Sequence, residues 1–136
     1  METIDPKYSI GIEEMDAQHA KLIQIIDRFR SISSDDLREQ SSMDITKQSL
    51  DALLKYTRFH FASEERLMTT HGYPELESHK QKHRALEATV TKLADEVHAS
   101  ATTTTPMKLN LFLTVWLLEH IKQDDAKYAR FILGKP

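Results

Sequence analysis

LESHKQKHRALEATVTKLADEV, residues 76–97, decides the fold. Leu76, His79, His83, Leu86, Val90, Leu93 and Val97 recur every three or four positions. That is the period of an α-helix with one buried face. No glycine or proline interrupts the stretch, and its charged residues fall between the stripe positions. Two of those stripe positions are histidine, where a helix packed in a core is expected to place Leu, Ile, Val, Phe or Ala.

The same period holds on both sides. Upstream, Gly72-Tyr73-Pro74 supplies a stop for one helix and a start for the next. Before it, Leu50, Leu53, Tyr56 or Thr57, His60, Glu64, Leu67 and Met68 form a second stripe. Residues 33–42 are polar with no apolar face and read as a loop. The leading stripe is Met15, His19, Leu22, Ile26 and Phe29. Downstream, residues 99–105 are small and polar, and Thr105-Pro106 provides an N-cap followed by proline at the first helical position. Leu109, Phe112 or Leu113, Trp116, His120, Tyr128 and Phe131 make the last stripe. No useful strand-period alternation is found. The expected fold is an all-α, antiparallel up-down four-helix bundle with a short N-terminal arm.

At 136 residues the chain is expected to be one domain, 1–136, large enough to bury a core without staples. It contains no cysteine, which excludes disulfides, thiolate zinc sites and iron–sulfur clusters and fits a reducing compartment. The net charge of −3 comes from mixed charges without a basic stripe, so no nucleic-acid partner is expected. The first ten residues lack the pattern of a signal peptide. The most apolar run, residues 109–118, is broken by Asn110 and Thr114 and is too short to cross a bilayer. The expectation is a cytoplasmic protein with no membrane partner.

Six residues on the inward stripes are out of place in an apolar core: His19, His60, Glu64, His79, His83 and His120. An unpaired buried carboxylate costs several kcal/mol or is forced to protonate. Six such groups spread over four helices need a common partner, and a metal centre in the bundle core supplies one. Residues four apart lie about 40° apart around a helix, so His60 with Glu64 and His79 with His83 can each grip metal from one rigid element. Imidazole with carboxylate suits iron, manganese, zinc or copper, although six donors already exceed what zinc takes. On bland grounds His71 belongs at a helix C-terminus, His98 faces solvent, and Glu65, one position off the stripe, is surface or a support to the ligands.

His60-Phe61-Ala62-Ser63-Glu64-Glu65, Met68, Gly72-Tyr73-Pro74, His79, His83, Trp116-Leu117 and His120-Ile121, with Gly11-Ile12 and Met15-Asp16-Ala17-Gln18-His19 ahead of them, resemble the hemerythrin family in its bacterial branch. The likeness spans residues 9–128. It departs near the amino terminus, where the family often has tryptophan and this chain has Ile4-Asp5. The resemblance implies two iron ions: His79, His83 and His120 on one, His19 and His60 on the other. Glu64 and an aspartate of the last helix would bridge them, with an oxo or hydroxo group, leaving one position open for O2. The family pattern puts that aspartate five residues after the histidine, at Asp125. An ideal helix would turn Asp125 about 140° away and favour Asp124; choosing Asp125 demands a distortion such as a π-bulge.

Five neutral imidazoles with two carboxylates make a less electron-rich site than the four-carboxylate sets of di-iron enzymes, favouring reversible O2 binding over oxidation catalysis. Phe61, Trp116, Leu117 and Ile121 are candidates for the dry wall of an O2 pocket, against the plainer reading that they are core. The rival functions are an O2- or iron-sensing module acting through a signalling partner, and a di-iron oxidase, peroxidase or nitric oxide scavenger. A carrier could also deliver O2 to an O2-consuming enzyme.

Overall fold

The computed structural model describes residues 5–33, 40–100 and 104–134, with side chains described for residues 5–28, 47–96 and 111–134. Helix α1 spans Glu13–Ser33, α2 Gln40–Thr70, α3 Leu76–Ser100 and α4 Thr104–His120. A π-helical segment, Ile121–Asp125, continues α4 directly into α5, Ala126–Ile132. Helix α1 packs on α2 and α4, and α3 packs on the same two. That is the square of an up-down four-helix bundle. Among the described residues there is no strand, and no helix is long and apolar enough to cross a membrane.

The helices reach further than the apolar stripes. Ser33 closes α1, and Gln40 to Ser42 already belong to α2, so both flanks of the expected loop are helical. Helix α3 runs to Ser100, and α4 begins at Thr104, one residue before the expected cap. The residues there are polar, and a helical backbone ladder does not require an apolar stripe. Phe29, Val97, His98 and Leu109 lie outside the described side chains, and Ile4 outside the described residues.

Two ends are fixed by identifiable devices. Gly72 adopts φ 64°, its N–H bonds to the Thr69 carbonyl at 3.1 Å, and the Tyr73 N–H bonds to the Met68 carbonyl at 3.0 Å. This is a Schellman motif with glycine at its left-handed position. His71 is the exposed residue just before it. At the other end, Asp16 accepts from the Ile10 N–H at 2.8 Å and the Ser9 hydroxyl at 2.6 Å, tying the arm to α1.

The core settles the alternatives within the stripes. Thr57 and Leu113 are buried, whereas Tyr56 is half-buried and Phe112 is 37 % exposed. Phe131, expected on the inward stripe, is 46 % exposed and lies against Tyr73. Antiparallel packing stacks the inward residues in layers. His19, His60, His83 and His120 share one layer; Leu22, Thr57, Leu86 and Leu117 form the next, one turn away.

Candidate metal centre

All seven expected ligand residues meet in the bundle core. His19, Glu64, His83 and Asp125 have no exposed surface, and His60, His79 and His120 have at most 4 %. Asp125 reaches the centre because the backbone distorts: the Ala126 N–H bonds to the Ile121 carbonyl, five residues back. A five-residue step brings Asp125 round to the face of His120, which a regular helix would miss. Asp124 points elsewhere.

The donor atoms crowd together. His120 Nε2 and His79 Nε2 each lie 3.1 Å from Asp125 Oδ1. His83 Nε2 lies 3.2 Å and His60 Nε2 3.5 Å from Glu64 Oε1. His19 Nε2 lies 3.1 Å from Asp125 Oδ2 and 3.4 Å from Glu64 Oε2. These donors fall into two groups, Glu64, His79, His83, His120 and Asp125 in one, His19, His60, Glu64 and Asp125 in the other. Both carboxylates belong to both groups.

The approaches are close, yet several of these atoms have no well-aligned hydrogen-bond partner. His19 Nδ1 and Nε2, Glu64 Oε1, His79 Nε2 and both oxygens of Asp125 are buried with no hydrogen-bond partner. Each orphaned buried group of this kind costs about 1–3 kcal/mol, and native cores avoid them. Converging nitrogen and oxygen lone pairs are relieved together by cations. The residues present therefore fit a metal centre, and an N/O set without sulfur suits iron.

Electrostatics point the same way. Burial and neighbouring Asp125 push Glu64 up, but His60, His19 and His83 outweigh them and hold it well below the usual carboxylate range. Burial also opposes ionisation of Asp125, yet His120, His19 and His79 keep it well below its ordinary value. Burial depresses His19, but Asp125 and Glu64 raise it to about 9. His120 is raised to about 10 by Asp125, Asp124 and Glu64 against the same penalty. Burial dominates at His60, which falls to about 4.

A ring of acceptors stands behind the donors. Gln18 Oε1 is 2.6 Å from His60 Nδ1, Glu65 Oε2 is 2.8 Å from His83 Nδ1, and Asp124 Oδ2 is 3.0 Å from His120 Nδ1. Such acceptors fix the tautomer that leaves Nε2 free for metal. Tyr128, wholly buried, donates its hydroxyl to Glu64 Oε2 at 2.6 Å; burial and the Glu64 and Asp125 charges keep its phenol protonated. Sequence reasoning named none of Gln18, Asp124 or Tyr128 for these roles. The available signal was adjacency: Gln18, Glu65 and Asp124 each stand next in sequence to an inward donor.

Phe61 is buried and stacks on His83 with ring centroids 3.7 Å apart, and half-buried Trp116 stacks on His120 at 4.4 Å. Phe61, Trp116 and Leu117 line an apolar cavity of about 10 Å³ together with Leu22, Thr57 and Leu113. Ile121 is fully buried but does not border that cavity.

The Hemerythrin HHE cation binding domain profile matches residues 10–132. A bacteriohemerythrin of Stenotrophomonas maltophilia is 32% identical over 124 residues, which cover 89% of this chain and 74% of that one. A bacteriohemerythrin of Methylococcus capsulatus is 30% identical over 123 residues, covering 90% and 89%. The crystal structure of a wild-type hemerythrin superposes with a TM-score of 0.80 at 24% identity over 95% of each chain, a likeness of fold. With the profile spanning nearly the whole chain and relatives at this identity, the chain belongs to the hemerythrin family.

Proposed function

We propose that this protein binds O2 reversibly at a two-iron centre and serves as a carrier or store rather than an enzyme. His79, His83 and His120 would hold one iron, His19 and His60 the other, with Glu64 and Asp125 shared between them along with an oxo or hydroxo bridge. The observation that carries the reading is the convergence of seven buried donors in two groups that share both carboxylates, with atoms of His19, Glu64, His79 and Asp125 left without a hydrogen-bond partner. When bound, two ferrous ions supply the two-electron chemistry that reversible O2 binding needs.

The protein's own residues account for the rest. Five imidazoles contribute no negative charge, so the donor set is poorer in electrons than the carboxylate-rich sites of di-iron enzymes. Gln18, Glu65 and Asp124 hold the imidazoles of His60, His83 and His120 in place. The Tyr128 hydroxyl orients Glu64. Phe61, Trp116 and Leu117 wall a small apolar space one turn from His19 and His60; about 10–15 Å³ is the least that holds one water, so it excludes bulk solvent while remaining beside the donors. Ile121 closes the core at the start of the π segment.

The test is optical. Iron-loaded protein is reduced without air, exposed to O2, then purged. An absorption band that appears with O2 and disappears on purging supports the carrier reading. A single irreversible change, or sustained turnover of a reductant under O2, overturns it in favour of oxidation chemistry.

A further inference from the structure

Helix α3 carries a cation on each side of one inward histidine: Lys82, His83, Arg84. Neighbours of an inward helical residue lie about 100° to either side, so each faces a different flanking helix. Lys82 Nζ lies 2.5 Å from Asp124 Oδ1 on the π segment. Arg84 Nη2 bonds to Glu65 Oε2 on α2. Those two carboxylates are the acceptors behind His120 and His83. On the other half, His60 is backed by the neutral Gln18.

We propose that Lys82 and Arg84 are positioning residues for the three-histidine half of the centre, each acting through the carboxylate, Asp124 or Glu65, that accepts the Nδ1 proton of a histidine there. The inference rests on the metal-centre reading. An unpinned Asp124 swings toward solvent, and His120 then loses the acceptor that holds its Nε2 on the metal. The cation also limits how strongly the carboxylate draws on the imidazole proton, which sets the donor strength of that histidine. Lys82 and Arg84 are 53% and 55% exposed, while Asp124 and Glu65 are 24% and 15% exposed. The effect is accordingly that of a screened ion pair, roughly three- to fivefold in affinity.

Positioning and bare charge predict opposite signs. Removing a cation near a metal site strengthens metal binding through space, whereas removing a positioning residue weakens it. The full-length, iron-free protein is titrated with Co2+ alone, and the hyperfine-shifted imidazole N–H resonances are recorded. Lys82→Gln and Arg84→Gln are expected to weaken one of two Co2+ sites roughly three- to fivefold and to move a ligand N–H resonance. Lys82→Arg should restore both, and Lys80→Gln, a charge control whose ion pair is with Glu77, should weaken neither site. In an Asp124→Asn background Lys82→Gln should cost nothing further. Unchanged or tighter binding in Lys82→Gln, or an equal loss in both backgrounds, overturns the proposal. If the unmodified chain binds no Co2+, the metal-centre reading itself falls, and this inference with it.

Discussion

Asp124 and Asp125 are adjacent and identical, yet they have different environments. Asp125 is fully buried among three imidazoles, while Asp124 accepts from His120 Nδ1 and from Lys82 at the rim. Asp125→Ala should therefore abolish the binding of two metal ions, because it removes a donor common to both groups. Asp124→Ala should keep two ions and bind one of them about 10–100-fold more weakly, the usual cost of losing the residue that orients a ligand. Metal content after dialysis, with stepwise titration, separates the cases; loss of both ions in Asp124→Ala alone would reverse the assignment. The inward histidines and Glu64 were legible in the sequence because a polar residue on an apolar stripe is conspicuous. Gln18 was not, and Glu65 only as one of two readings, since a polar residue one step off the stripe looks like any surface residue until the neighbouring helix is placed.

The π segment is the element on which the site turns. Periodicity gave the four helices and their inward faces, but it cannot register an extra residue at the junction of α4 and α5. The clue was a contradiction: a five-residue spacing that an ideal helix cannot use. A π-bulge behaves as one residue inserted into an α-helix, so its removal should be tolerated. Deleting Gln123, whose side chain bonds to Glu119 on the surface, makes the His120 to Asp125 spacing four, which a regular helix places about 40° apart. The deletion variant should still bind two metal ions. Inserting one alanine after Gln123 makes the spacing six, turns the carboxylate about 120° off the inward face, and should cost the second ion. Equal metal content in the two variants would show that Asp125 does not depend on the bulge. Helix ends were less legible than helix faces, because Gln40 to Ser42 and Ser100 extend helices with polar residues and no apolar stripe that could announce them.

At the scale of the molecule, four helices are locked by a polar layer and the apolar layer next to it. Leu117, 6% exposed, borders the small cavity in that apolar layer. Leu117→Ala should cost about 2–5 kcal/mol of stability and speed the loss of O2-binding competence in air, because the enlarged space admits water beside the donors. The decay of the O2-dependent band reads this directly; an unchanged rate would remove Leu117 from the pocket wall.

The polar layer has a pH dependence that reverses when metal enters. In protein freed of metal by chelation, His19 and His120 are held at about 9 and about 10, above an unfolded value of 6.5. Their contribution to stability is fully present below pH 6.5 and is lost as the pH rises through 9 and 10. Glu64 and Asp125 are depressed, so theirs is present above about pH 4.5 and is lost on acidification. His60, lowered to about 4, adds to the acid loss, since the unfolded chain takes up that proton below pH 6.5. The chelated protein should thus melt highest near pH 6.5, with Tm falling toward pH 9. Metal must displace the protons on His19 and His120, and a hydroxo bridge drawn from water would add another, so at least two protons should be released per loaded protein at pH 7 and affinity should climb steeply with pH. Melting curves with and without chelator at pH 6.5 and 9, together with proton release into weak buffer, test both halves. A chelated Tm that rises with pH, or metal uptake without proton release, would mean that the carboxylates do not hold these histidines protonated and that the layer is not poised for cations.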